Sequence, residues 1–445
     1  MNNRRILVSI IIVLMIGFTS KVFAKKPNVI IIYTDDQGAI DLNCYGAKDL
    51  ITPNMDNLVN SGIKFTQFYG APICSPSRAG LLTGKTPQRA GVPGNVSSLN
   101  MKDGMPTEQY TIAEMFKDAG YKTALIGKWH LGQAPDKQPK AQGFDYSFGF
   151  LGGCVDNYSH FFFWEGPNRH DLYRNGKEVF YPGEYFPDLM LKNASAFLDE
   201  NKDKPFFMYY AINCPHYPYQ GVKKWLDYYQ DKGVKYPRDL YAAFISTIDE
   251  NIGLLISKLD DLGLRENTII VFQADNGYST EVRAHYGGGN AGVYRGSKFS
   301  LFEGGIRVPA AISWPKRLKS GEIRDQISVN ADWMPTLAEL CNIDLDASEL
   351  DGKSLVSVIN NKDEKSQHSE FCWKTGKHWA ARKGEWKLLG KPMIAGETFL
   401  PKDSLFLVNL NQDLGEMTNL AEKYPEKVEE LKFQYFEWLR KNLYH

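Results

Sequence analysis

Cys74 stands inside "APICSPSRAGLLTGK" (71–85), directly before Ser-Pro-Ser-Arg. Ser75 suits a helix N-cap, Pro76 then takes the first helical position, where its missing N–H costs nothing, and Gly84 suits the stop. The spacing predicts a helix with Cys74 just outside its N-terminus. That end carries partial positive charge and unpaired N–H groups, so it suits an anion. Arg78 adds a permanent cation about one turn further on. A solitary cysteine is more often a structural thiol, so the reading of Cys74 depends on what gathers around it.

Asp35 and Asp36, in "YTDDQG", follow the apolar run "NVIIIYT" (28–34), and Asp275 and Asn276, in "FQADNG", follow "TIIVFQA" (268–274). Three carboxylates and an amide are hard oxygen ligands that suit calcium or magnesium, whereas zinc would call for His or Cys. Either pair alone reads as a turn; a pair after each of two buried strands reads as a metal site. Lys128 and His130 in "GYKTALIGKWHLG", His216 in "YYAINCPHYPY" and Lys298 in "YRGSKFSLFEGGIRVP" stand at comparable places. Each alone is ordinarily a surface or internally satisfied group. Gathered at one sheet edge with a divalent cation, an arginine and a helix N-terminus, they form a site for transfer of an anionic group.

The elements that must position them alternate between strand and helix. The run 28–34 is continuous and β-branched, as in a strand buried on both faces. Residues 53–61 predict a helix and "IKFTQFYG" (63–70) one strand. Residues 111–120 predict a helix ending at Gly120, followed by a strand in "YKTALIGKW" (121–129). "PFFMYYAI" (205–212) and 268–274 are two more central strands, with a long helix at 240–263 between them. The alternation predicts an α/β fold, a large, mainly parallel sheet sandwiched by helices. In such sheets ligands sit beyond the carboxyl ends of the strands. After residue 345 the pattern changes to antiparallel strands and a terminal amphipathic helix, so 25–345 is expected to be a catalytic domain and 346–445 a smaller α+β subdomain.

Residues 1–24 combine Arg4 and Arg5, an uncharged apolar run and Val22-Phe23-Ala24, the pattern of a cleaved secretory signal peptide. The expected location is the periplasm or the exterior, with no membrane attachment after cleavage. Lys plus Arg and Asp plus Glu are both 52, so no bulk charge argues for nucleic acid or a membrane surface. The six cysteines show no metal-ligand spacing and are too few for a disulfide scaffold. An oxidising compartment would allow one or two bridges, with at least one thiol left over if Cys74 is chemically special.

"CSPSRAGLLTG" resembles the signature of the type I, formylglycine-dependent sulfatases of the alkaline phosphatase superfamily, and "GYKTALIGKWHLG" resembles their second signature. "PNVIIIYTDDQG", "ADNG" and "LFLVNLNQDLGEMTNLAEKYPE" are also similar, so the resemblance covers the mature chain. It implies that a maturation enzyme, formylglycine-generating or anaerobic, oxidises Cys74 to formylglycine. The hydrated aldehyde attacks sulfur with one hydroxyl; the second then expels sulfate and restores the aldehyde. The resemblance further implies one calcium ion held by Asp35, Asp36, Asp275, Asn276 and the group at Cys74. By the same resemblance Arg78 offsets charge, Lys128 bridges nucleophile and sulfate, Lys298 binds sulfate, His130 takes a proton and His216 protonates the departing alcohol.

The segment "GFLGGCVDNYSHFFFWEG" (149–166) offers glycines, polar groups and four successive aromatics. Carboxylates and amides accept paired hydroxyls, and aromatic faces pack on sugar rings. Asp156 and His160, with Asn157 and His285, are therefore expected to line the sugar subsite of an exo-acting sulfatase. Similar segments in the family point to galactose or N-acetylgalactosamine sulfates within a sulfated glycan. A phosphonate or phosphoester hydrolase of the same superfamily, a sulfatase for another sugar such as glucosamine, and a silent glycan-binding relative remain as alternatives.

Overall fold

A computed structural model describes residues 25–163 and 166–443; the expected signal peptide lies outside them. The strand Asn28–Asp35 is buried at every position. Ile30 and Ile32 face one layer, with the helices Phe186–Asn201 and Arg238–Asp261. Val29, Ile31 and Tyr33 face the other, with Cys74–Thr83, Ile112–Asp118 and Trp333–Leu340. Two covered faces explain why the sequence there is apolar without alternation.

This strand lies inside a ten-stranded sheet, between Phe206–Pro215 and Thr268–Ala274 and parallel to both, with Ile31 opposite Tyr209 and Val271. Lys122–Lys128 pairs in parallel beyond Phe206–Pro215. Four strands therefore end at the same edge, and the loops after them carry Asp36, Asp275, His216 and His130. On the far side of Thr268–Ala274 the strand Ala310–Ser313 runs antiparallel, so the sheet is mixed, with a parallel centre.

The C-terminal part forms a four-stranded antiparallel sheet, Glu370–Thr375, His378–Lys383, Trp386–Gly390 and Leu405–Asn409. The helix Pro425–Leu443 covers one face through Leu431 and Tyr435. The other face shares a core with Tyr69, Leu301, Phe302 and Ile306. The expected fold class is thus observed: a large mixed, mainly parallel sheet between helices, with a smaller antiparallel sheet appended. No helix among the described residues is long and apolar enough to cross a membrane.

Local readings change in two places. The single strand expected at 63–70 is two, Ile63–Phe65 in the central sheet and Phe68–Tyr69 paired with Ser328–Val329. The chain leaves the sheet at Gln67, whose carbonyl accepts from Ser328 N–H. The 111–120 helix is shorter, Ile112–Asp118, because Thr111 and Glu114 close a capping box before it. The six cysteines are unpaired.

Candidate active site

The helix Cys74–Thr83 begins on Cys74 itself, with Ile73 at the cap position, so Cys74 is in the first turn and not outside it. Ser75 is not the cap. Its hydroxyl is held between two loops, donating to the His130 carbonyl at 2.7 Å and accepting from Val96 N–H at 3.1 Å. The Ser75 N–H is instead satisfied by Asn95 Oδ1 at 3.1 Å. Gly84 ends the helix in left-handed backbone, as expected. All ten residues of the helix are buried, which fixes Cys74 against the sheet edge.

Cys74 Sγ lies 3.3 Å from Asp35 Oδ1 and 3.8 Å from Asp36 Oδ1. Lys128 Nζ contacts Asp35 Oδ2 at 2.6 Å, and Lys298 Nζ contacts Asp36 Oδ2 at 2.8 Å. Arg78 donates through Nη2 to Asp275 Oδ2 at 3.0 Å and lies 3.4 Å from Asp35 Oδ1. His216 Nε2 is 3.7 Å from Asp36 Oδ2. Asn276 Nδ2 donates to Asp36 Oδ1 at 2.7 Å. The expected catalytic and metal residues from six separate segments are thus brought together, His130 included, which lines the same cavity. Asp36 and His130 both hold left-handed backbone, with φ of 61° and 55°. Such conformations cost a non-glycine residue about 1–3 kcal/mol and concentrate at functional sites.

Charge at the site is strongly organised. Burial opposes ionisation of Asp35, but Lys128, His216 and Arg78 outweigh it and hold the carboxyl well below the usual range. Asp275, pressed by burial and by Asp35, is pushed up to about 8. Burial and Lys298 push His216 down to about 4, and burial with Lys128 and Arg78 holds His130 well below the usual imidazole range. The Cys74 thiol is raised by burial, so it stays protonated and is a weak nucleophile as it stands.

The oxygen donors of Asp35, Asp36 and Asn276 fit a hard divalent cation, with the softer Cys74 thiol and His216 imidazole beside them. Ligand atoms of Asp35, Asp36, Cys74 and His216 all lie within 4.8 Å of one another. Asn276 Oδ1 is buried and accepts no hydrogen bond among the described residues. Asp275 is nearby but turned: its Oδ1 accepts the Asp36 and Asn276 N–H groups and its Oδ2 the Arg78 guanidinium.

A cavity of about 390 Å³ opens over this edge, lined by Cys74, His130, His216 and Lys298, with Asn95, Phe162 and Glu281 among its other walls. Gly153 admits the His130 ring, which would stand 3.0 Å from a Cβ there. A larger hollow of about 1440 Å³ lies elsewhere, between 85–89 and the C-terminal helix, and contains none of these residues.

The four expected sugar-subsite residues do not line the cavity, and the structure gives their polar groups other partners. Asp156 accepts from the Tyr158 and Ser159 N–H groups and from Gln220 Nε2. Asn157 is buried between Gln220 and Asn213. His160 is buried with Nε2 on the Glu184 carbonyl. His285 Nδ1 is 2.6 Å from the Tyr236 hydroxyl. Residues missed in the sequence include Ser77, whose hydroxyl donates to the Asp275 carbonyl at 2.6 Å, and Asn95. Ser77 lies inside the cysteine motif, which was its only signal.

A family model described as Sulfatase matches residues 27–343. A second, described as N-sulphoglucosamine sulphohydrolase, C-terminal, matches residues 289–441. Arylsulfatase A of Homo sapiens is 32% identical over 380 residues, spanning 79% of this chain and 71% of that protein. The N-acetylgalactosamine-6-sulfatase of Canis lupus familiaris is 33% identical, over 72% of this chain and 63% of that protein. The crystal structure of Ps i-CgsB in complex with k-i-k-neocarrahexaose is similar with a TM-score of 0.83, at 29% identity and 93% coverage of both chains. The match spans both aspartate-bearing strand ends and the helix of Cys74; the chain belongs to the sulfatase family and is a sulfuric ester hydrolase.

Proposed function

We propose that this enzyme hydrolyses a sulfate ester on a sugar of a sulfated glycan, with galactose or N-acetylgalactosamine as the favoured class, using formylglycine made from Cys74 by a maturation enzyme and one calcium ion. The observation that carries it is the placing of Lys128 and Lys298 on Asp35 and Asp36, the two carboxylates within 3.8 Å of Cys74 Sγ. The sugar class rests on relatives such as the N-acetylgalactosamine-6-sulfatase. Secretion to the periplasm or exterior follows from the signal-peptide pattern of 1–24 and suits a glycan substrate. Residues 25–345 are taken as the catalytic domain and 346–445 as the appended subdomain.

Asp35, Asp36, Asp275 and Asn276 would hold the calcium ion. When present, formylglycine would supply an oxygen nucleophile and calcium would supply Lewis-acid stabilisation of negative charge. The chain's own groups do the rest. Lys128 and Lys298 bind sulfate oxygens, and Arg78 offsets the added negative charge. The Tyr217 carbonyl, 2.7 Å from His216 Nδ1, can only accept, so the neutral ring carries its proton on Nδ1 and offers Nε2 bare. A proton must therefore be loaded on Nε2 before His216 can donate to the leaving alcohol. An anionic sulfate beside Lys298 favours that loading, because Lys298 is the main charge that lowers His216. His130 Nδ1 has no partner among the described residues and can take a proton during turnover.

The reading is tested by assaying the mature enzyme against 4-nitrophenyl sulfate, 4-nitrophenyl phosphate and a panel of sulfated mono- and oligosaccharides of known linkage. Turnover of sulfated galacto-configured sugars is expected. Preference for the phosphate would overturn the sulfatase assignment, and preference for sulfated glucosamine would overturn the sugar class.

A further inference from the structure

The cavity wall contains a carboxylate that the expected chemistry does not use. Glu281 lies in the loop after Thr268–Ala274, just before the turn Val282–Ala284, and lines the cavity. Its Oε2 accepts from the Ser279 hydroxyl at 3.0 Å and the Tyr217 hydroxyl at 3.2 Å, and Lys298 Nζ is 3.5 Å away. Three groups thus fix the carboxylate from one side. No hydrogen bond reaches its Oε1 among the described residues. The Glu281 side chain is 25% exposed where that of Lys298 is 3% exposed, so Glu281 stands nearer the mouth than the sulfate-binding lysine does.

We infer that Glu281 is a specificity-determining residue, which accepts a hydrogen bond through Oε1 from a hydroxyl of the sugar that bears the scissile sulfate. The inference rests on the reading of the cavity as a sugar sulfatase site. A carboxylate beside Lys298 repels a second anionic group, so its partner must be a donor. A charged acceptor, held in place by its neighbours, makes a strong hydrogen bond to a neutral hydroxyl. A ligand without that hydroxyl leaves the carboxylate with a desolvated, unpaired oxygen, which is the most discriminating kind of contact. An aryl sulfate has no hydroxyl to offer.

The test compares kcat/KM of the mature wild type, Glu281→Gln and Glu281→Ala on 4-nitrophenyl sulfate and on whichever sulfated sugar of the panel the wild type cleaves fastest. Glu281→Ala is expected to lose about 10- to 100-fold more on the sugar than on the aryl sulfate, the range for a hydrogen bond to a charged group. Glu281→Gln, which keeps a neutral acceptor, is expected to lose less than Glu281→Ala and serves alone if the alanine variant does not fold. Both variants should also bind inorganic sulfate more tightly as an inhibitor, because the repulsion is gone. Equal losses on both substrates would overturn the assignment and leave Glu281 as a support for Lys298. Failure of the wild type to cleave any sulfated sugar would instead overturn the sugar reading itself, and this inference with it.

Discussion

Arg78 Nη2 lies 3.0 Å from Asp275 Oδ2, and neither side chain has any exposed surface. The pair ties the helix of Cys74 to the end of a central strand. Removing one member of a buried pair costs about 3–5 kcal/mol because the other is left uncompensated. Asp275, already pushed up to about 8, can take a proton and soften that loss. Arg78→Met is therefore expected to destabilise the metal-free enzyme by about 3 kcal/mol in chemical denaturation and to abolish turnover. Wild-type stability in this variant would show that the pair is not structural.

Lys387 Nζ sits between Glu303 Oε1 at 2.8 Å and Glu416 Oε1 at 2.9 Å, with all three side chains buried. Glu303 begins a short helix that follows the loop of Lys298, so the C-terminal sheet helps to hold that loop. Burial opposes charge on Glu303, but Lys387 holds it down to about 2; burial pushes Glu416 up to about 7. The stability contributed by Glu303 is present above 4.5, the ordinary glutamate value, and lost as pH falls toward about 2. The contribution of Glu416 runs the other way and is lost as pH rises from 4.5 to about 7. Lys387→Met should lower Tm at neutral pH and make the loss of stability between pH of about 5 and 8 steeper than in wild type. A parallel pair of pH profiles would contradict this.

His216 is pushed down to about 4 by burial and Lys298, from the ordinary imidazole value of 6.5. The stability gained by keeping it neutral is complete above 6.5 and lost as pH falls to about 4. His216→Gln should therefore show a smaller fall in Tm than wild type between pH of about 7 and 4.5. An identical fall would mean that His216 does not titrate in that window.

Chelation should remove activity and lower Tm together, and added calcium should restore both. At a hundredfold excess over Kd, a bound ion adds about 2.7 kcal/mol. Full turnover in protein shown by elemental analysis to hold no divalent metal would exclude the proposed cation.

Much of the site was legible because it follows strands buried on both faces. Apolar runs such as 28–34 have few other readings, and the polar residues directly after them must emerge at the sheet edge. The neighbours of each strand were not legible, since Asn28–Asp35 pairs with segments beginning at 206 and 268 through long crossovers. Ser75 misled because a good cap residue also makes a good bridge, here between His130 and Val96. Asp156 misled because Asp-Asn-Tyr-Ser closes its own turn, with the Tyr158 and Ser159 N–H groups on one carboxylate oxygen. Glu281 gave no signal at all; its place depends on three loops meeting.

The most direct measurement is the mass of the Cys74 peptide in the active enzyme, taken alongside 4-nitrophenyl sulfate turnover in preparations that differ in maturation. The predicted result is a peptide that has lost sulfur and two hydrogens and gained oxygen, with turnover proportional to the converted fraction and none in Cys74→Ala. Full turnover with an unmodified Cys74 thiol would contradict it.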